Sequence, residues 1–360
     1  MANARPVPTL ARSPGAIAAD SAFGPAYAHT AQLALDLGGP TLALRYVNRY
    51  QAIAPVEAAS SGARVLQALL EPPGITSPAV RQLIDTLSPG VLYSVRNSVR
   101  RWPDTAETAV RLARVLAWGG RASGRPLFRD SAFRARILAE QLAYRGHVRE
   151  AHRVIGAMPV GITAELPYLG GAPVDSLAAR LARLQADGSP VATQALGWWA
   201  ARGDTAALRR HVDLARGRLA DARVASAAQR LGAVYDTAAA LAHLALAQRD
   251  SAEALRRFEA LPDTLCPRCY PDRLTRARLL TARGRHRDAM ADLREPLVAL
   301  LSPFEILFAL ERGRVAERLG AWQEARESYA LVVASWARGD PEVQPHVAAA
   351  RAGLQRVRRR

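Results

Sequence analysis

The chain has 360 residues, 49% of them hydrophobic and only 6% aromatic, and carries a formal net charge of +17. All 49 basic residues are Arg, which excludes every mechanism that needs a lysine amine: the Walker-A phosphate loop, the kinase strand lysine, the pyridoxal Schiff base and the Ser-Lys dyad. An apolar content dominated by Ala, Leu and Val favours an all-α fold with small contact residues over a sheet-based one.

Residues 1–22 read as a flexible N-terminal segment, without the apolar core of a signal peptide. A helical-repeat region is expected over 23–158. It opens with LGGPTLALRYV (Gly38, Ala43, Val47) and closes with RGHVREAHRVI (Gly146, Ala151, Ile155). Between these lie two divergent hairpins, Glu57 to Leu70 with Ser77 to Leu87, and Gly90 to Arg101 with Asp104 to Trp118. Residues 159–189 contain PVGITAELPYLGGAPVDS, whose Pro and Gly content reads as a linker, followed by an extra helix around Ser176 to Gln185. The segment 190–357 reads as an array. It runs through RGDTAALRRHV (Gly203, Leu208, Val212), RDSAEALRRF (Arg249, Ala254, Phe258), RGRHRDAMADL (Gly284, Ala289, Leu293) and LGAWQEARESY (Gly320, Ala325, Tyr329). Asp340-Pro341 reads as the N-cap and first-turn proline of a terminal helix that caps the array and ends in RVRRR. No run of about 18 apolar residues occurs, so no membrane span is expected and a cytoplasmic location is.

These segments share one physical frame. A Gly or polar turn ends a first helix, a small residue five positions later lets the second helix approach it closely, and a bulky residue one turn further fills the groove. A hairpin of this kind cannot bury its apolar face alone, so hairpins stack into an α-solenoid. The anchors Ala254, Ala289 and Ala325 are spaced by 35 and 36 residues, close to the tetratricopeptide period of about 34, and Gly313 stands where that pattern has its first small residue.

The stretches LGWWAARGDTAALRRH, ALRRFEALPDTLCPRCYPDRLTRARLL and ALERGRVAERLGAWQEARESYALVVASWARGDPEVQPHVAAARAGLQRV resemble the tetratricopeptide-repeat arrays attached to bacterial serine/threonine protein kinases and related transcriptional regulators. DSAFGPAYAHTAQLAL is similar to the first hairpin of such arrays. The resemblance implies a regulatory or partner-binding array whose catalytic or DNA-binding activity lies in a separate domain, and no catalytic residue carries over from it. It leaves open a free-standing protein or the sensory half of a split kinase or regulator.

The only cysteines, Cys266 and Cys269, form a Cys-x-x-Cys pair. Zinc needs four ligands and there is no second pair. The nearest histidines, His243 and His286, lie 23 residues before and 17 after, and His286 is held about 20 Å away by the intervening helix. A redox centre of this type follows a strand, and no strand pattern exists here. The pair therefore reads as a proline-stiffened corner, and no cofactor is implied. His147 and His152 read as surface and packing residues, and of the adjacent Trp198 and Trp199 one is expected to face the core.

The expected function is a non-catalytic scaffold whose concave surface receives a partner peptide or domain. In the tetratricopeptide frame the ninth position of each first helix faces that groove, which selects Arg278 and Arg314. The partner-binding candidates are Arg278, Arg314, Arg318 and His243, suited to an acidic peptide or a terminal carboxylate. The rival is a nucleic-acid-binding repeat using Arg96, Arg100, Arg101, Arg111 and Arg114, with Arg273, Arg276, Arg278, Arg283, Arg285 and Arg287. Few aromatics interleave with these arginines to stack bases.

Overall fold

The structure is a computed structural model and describes residues 17, 21–37, 39–100, 106–118, 130–156, 158, 160–220, 226–261, 270–295 and 301–360. Among the described residues there are twenty α-helices and no strand, and 82% of these residues are helical. The described residues form an all-α fold of helical hairpins, as the small-residue frame requires. By its contacts the chain divides into two units, 1–141 and 142–360.

The first unit contains α1 (Gly24–Leu37), α2 (Pro40–Ile53), α3 (Pro55–Ser61), α4 (Ala63–Leu70), α5 (Pro78–Thr86), α6 (Pro89–Val99) and α7 (Ala106–Trp118). It also takes most of α8 (Ser131–Tyr144). Helices α1 and α2 form the first hairpin, with Ala31, Ala43 and Val47 buried between them. The core continues through Tyr50, Leu66, Leu69, Ile84, Leu92, Val95, Leu112 and Leu116. Ser77 and Ser88 accept from the backbone N–H groups of Val80 and Val91, capping α5 and α6 just ahead of Pro78 and Pro89. The helix expected over Glu57 to Leu70 breaks in two at Gly62. Gly62 has φ +86°, and a Cβ there would meet Val95 Cγ2 at 2.6 Å. Close approach to α6 requires glycine at this point, and the left-handed conformation interrupts the helix.

The second unit continues with α9 (Val148–Ile155), α10 (Gly161–Glu165), α11 (Val174–Ala186), α12 (Leu196–Ala201), α13 (Thr205–Ala220) and α14 (Ala227–Ala247). It ends with α15 (Ser251–Glu259), α16 (Tyr270–Ala282), α17 (His286–Arg294), α18 (Phe304–Arg318), α19 (Trp322–Trp336) and α20 (Gln344–Arg358). The repeat frame is visible in the burial. Ala242 and Ala254, Ala277 and Ala289, and Gly313 and Ala325 are buried as pairs on partnered helices, and Phe258, Leu293 and Tyr329 fill the grooves beside them. Arg249 takes the turn position that glycine holds in the other repeats and adopts φ +66° to do so, a conformation costly for a side chain with a Cβ.

Tyr329 is clamped on both sides. A Cβ on Gly313 would lie 2.6 Å from its ring and one on Gly353 2.3 Å, while its hydroxyl donates to Glu317 Oε2 at 2.9 Å. The ring has nowhere to retreat. Gly313→Val is therefore expected to cost at least about 3 kcal/mol despite the gain in helix propensity over glycine. A urea-unfolding midpoint equal to that of the wild type would show that the helices are not in this register.

Two expectations are corrected here. The Gly/Pro-rich stretch read as a linker is interior: Ile162, Thr163, Ala164, Leu166, Pro167 and Leu169 are all buried, and Ser302 Oγ donates to Glu165 Oε2 at 2.7 Å. Its turns shape a plug that packs beneath the array, so the glycines and prolines serve tight bends within the core. The division of the chain also falls at 141/142 inside α8, whereas the sequence placed a boundary near 159. The expected N-terminal segment 1–22 lies, except for residues 17, 21 and 22, outside the described residues.

Asp340 differs as well. Its carboxylate does not cap the helix it precedes; Oδ2 accepts from the backbone N–H of Arg149 at 2.8 Å, and so caps α9. The Asp340 N–H donates to Gly146 O at 2.9 Å, and Trp336 Nε1 donates to Tyr144 O at 3.0 Å. The C-terminal helices of this unit thus return onto its first turn, Tyr144 to Gly146, and the start of α9.

Candidate functional site

The ninth position of successive first helices places His243 on α14, Arg278 on α16 and Arg314 on α18. The structure separates these three. Arg278 Nε and Arg314 Nη1 both donate to Glu311 Oε1, each at 2.9 Å, so one carboxylate oxygen ties two successive helices together. The Arg278 and Arg314 side chains remain 48% and 44% exposed, whereas Glu311 is 11% exposed. The anion anchors the guanidiniums from below and leaves their faces to solvent. Arg318, one turn beyond Arg314 on α18, is also exposed.

The third helix of this surface contributes His346, on α20, which sequence reading missed. Its ring lies 5.6 Å from that of Trp336, and burial, then the charges of Arg278 and Arg314, pushes its pKa below the usual value. A neutral imidazole beside two guanidiniums adds no further positive charge. The terminal helix lies outside the repeat frame, which is why the spacing did not number this residue. Glu311 was legible in principle, as an acid three positions before Arg314 on one helix face.

His243 corrects the sequence expectation. It sits on the inward face, as its register requires, but is completely enclosed. With its proton on Nε2 it donates to Asp272 Oδ1 at 2.7 Å, and the Tyr235 hydroxyl donates to Asp272 Oδ2 at 2.9 Å. The cover is the plug. A Cβ on Gly197 would stand 3.3 Å from the His243 ring and 2.8 Å from the Tyr168 hydroxyl, which itself donates to Gln194 O and accepts from the Trp198 N–H. Burial, with the Asp272 charge second, holds Tyr168 well above the ordinary phenol range. The inward face is therefore enclosed at His243 and Asp272, whereas Arg278 and Arg314 are exposed.

Some of the arginines are turned into the fold or tied up in ion pairs, while Arg114, Arg278, Arg283, Arg285 and Arg287 are exposed. Arg96 is buried, donates to Asn97 Oδ1 and Ile137 O, and is lowered by burial to a pKa of about 10. Arg273 is buried and donates to the carbonyls of Asp292 and Glu295. Arg276 grips both oxygens of Asp292, and Arg285 pairs with Asp288 and Glu259. Within 273–287, then, Arg273 is buried and Arg276 and Arg285 are paired with acids.

Trp198 and Trp199 are both buried, where one was expected to be. The Arg202 guanidinium covers Trp198 at 3.9 Å, and Trp199 lies beside the His211 ring, so a six-residue helix enclosed on two sides hides both faces. His152 packs as expected: Arg180 donates to Nδ1 and, in that tautomer, Nε2 donates to Gly170 O. Cys266 and Cys269 lie outside the described residues. Among the described residues no group of three or more His, Cys, Asp and Glu is placed to hold a metal ion, and no helix is long and apolar enough to cross a membrane.

No protein-family profile matches the chain, and no curated protein sequence matches it. Among solved structures, that of Naa15/Naa10 bound to HypK-THB is similar to this chain at 12% identity over 96% of this chain and 76% of that one. The TM-score of that match is 0.24, too low to carry an argument about fold or function.

Proposed function

We propose that the protein is a non-catalytic interaction scaffold that receives an acidic segment of a protein partner on the face shared by α16, α18 and α20. The observation that carries this reading is the sharing of one Glu311 oxygen by Arg278 and Arg314. Each guanidinium has five N–H donors in a rigid fork, so a shared internal acceptor orients the pair without exhausting it. A partner carboxylate meets forks already held in place, which lowers the side-chain entropy lost on binding. Arg318 extends the positive field by one turn, and the burial of Arg96 and Arg273 interrupts the arginine runs that a nucleic-acid track would use. The resemblance to arrays of bacterial signalling proteins supports a regulatory role in the cytoplasm, with any kinase or DNA-binding activity residing in a partner.

The test is titration of the full-length protein and an Arg278→Glu/Arg314→Glu variant with hexaglutamate and, in parallel, with duplex DNA over a salt series. The variant is expected to lose at least roughly tenfold in hexaglutamate affinity, since charge reversal replaces two attractions by repulsions. Its weak DNA binding should barely change. Equal hexaglutamate affinity in both proteins removes the site. Submicromolar DNA binding at physiological salt, with each lost phosphate contact lowering the log-log slope by about 0.7 to 0.9, replaces the scaffold with a nucleic-acid reader.

A further inference from the structure

The first unit holds a cavity of about 410 Å³ lined by Ile75, Thr76, Arg81, Arg111, Arg114 and Val115. Three of these six side chains are guanidiniums, and they reach the cavity from two helices. Arg81 stands near the start of α5, while Arg111 and Arg114, three residues apart, share a face of α7. Arg81 Nη2 donates to Thr76 O at 3.1 Å, and Arg111 Nη2 donates to both oxygens of Asp85 at 3.2 and 3.1 Å. These bonds fix two of the guanidiniums at the cavity while using one nitrogen of each. Arg111 Nε is enclosed and has no hydrogen-bond partner among the described residues. The partly buried side chains of Ile75 and Val115 supply an apolar wall.

From this arrangement we infer that the cavity is a binding site for a small phosphate monoester, its phosphate on Arg81, Arg111 and Arg114 and its organic part against Ile75 and Val115. A carboxylate has two oxygens and is matched by one guanidinium fork. Three arginines lining one space, with the Arg111 charge offset by Asp85, match a group with three terminal oxygens and nearly two negative charges. The volume lies at the small end of ligand pockets, roughly 300 to 1,000 Å³, and exceeds what a bare phosphate fills. The surplus is bounded by aliphatic carbon, which favours a ligand with an apolar body. None of the residues of the α16, α18 and α20 surface takes part, so this inference stands apart from the scaffold reading.

The experiment is calorimetric titration of the full-length protein at about 0.15 M salt, where diffuse attraction to the net charge is largely screened. Phenyl phosphate, inorganic phosphate and benzoate are the probes. Phenyl phosphate is expected to bind with one-to-one stoichiometry, inorganic phosphate more weakly, and benzoate at least roughly tenfold more weakly, because it offers one fork's worth of acceptors. Arg81→Ala and Arg114→Ala should each weaken phenyl phosphate by roughly tenfold or more, the usual effect of losing a hydrogen bond to a charged group. The Arg278→Glu/Arg314→Glu variant should bind it like the wild type. Circular dichroism checks that each variant folds, and either of the two alanine variants alone decides the question. Absence of saturable phenyl phosphate binding overturns the site, as does an equal loss in the Arg278→Glu/Arg314→Glu variant, which would reduce it to net charge. Benzoate binding as tightly as phenyl phosphate overturns the phosphate, and inorganic phosphate binding as tightly overturns the apolar body.

Discussion

Trp336→Ala is expected to destabilise the protein by about 3 to 5 kcal/mol, the range for removing a large aromatic side chain from a core that collapses only partly. Trp336 is fully enclosed, its ring packs near His346, and its Nε1 donates to the Tyr144 carbonyl across 192 positions of the chain. A Cβ on Gly146 would lie 3.1 Å from its ring, so the turn that precedes α9 is moulded against this side chain. Trp336→Phe separates the two contributions. It keeps most of the apolar volume and loses the hydrogen bond, for which about 1 to 3 kcal/mol is expected because the carbonyl is left buried. Urea-unfolding midpoints measure both. A Trp336→Ala midpoint close to that of the wild type would mean that the C-terminal helices do not return onto the turn at Tyr144 to Gly146.

Asp272→Ala should be comparably severe, again about 3 to 5 kcal/mol, since it breaks a buried polar cluster by removing the partner on which the others depend. Both Asp272 oxygens are used, one by Tyr235 and one by His243, in surroundings closed to solvent by Gly197 and Tyr168. Removing the carboxylate takes away the acceptor to which the phenol and the imidazole N–H donate, in surroundings that water does not readily reach. Asp272→Asn should cost less, because one acceptor oxygen survives. Thermal unfolding of the three proteins tests the order. If Asp272→Ala melts with the wild type, the cluster is hydrated and the plug does not close the inward face.

The hairpin frame was legible because it depends on residues close in sequence. A small residue where two helices touch and a bulky one a turn later are demands made within about 30 residues, and Ala254, Ala289 and Ala325 meet them at nearly constant spacing. The register that turns His243, Arg278 and Arg314 inward follows from the same frame, so their common face was readable too. What surrounds that face was not. The segment 161–201 folds as a five-residue helix, a six-residue helix, 3₁₀ turns and one longer helix, too short for most of its pieces to leave a 3.6-residue period in the sequence. The Pro and Gly residues up to Pro173 therefore read as linker, although neighbours such as Ile162, Ala164, Leu166 and Leu169 are buried. Whether a ninth-position residue is a buried anchor or an exposed contact depends on what packs over it: His243 is enclosed beside Gly197 and Tyr168, whereas Arg278 is exposed.

The same limit applies to charge and caps. Composition counts 49 arginines, but only the fold distinguishes Arg96, enclosed and bonded to Asn97 and Ile137, from Arg81, exposed at the mouth of a cavity. Asp340 followed by proline has the local form of an N-cap, yet its carboxylate serves a helix that starts 192 residues earlier. Helix formation and hairpin pairing are short-range consequences of side-chain size and turn chemistry, so one sequence suffices to read them. Burial, ion pairing and the openness of a groove are set by segments brought together from distant parts of the chain, and for those the packed tertiary structure alone determines which polar groups face water.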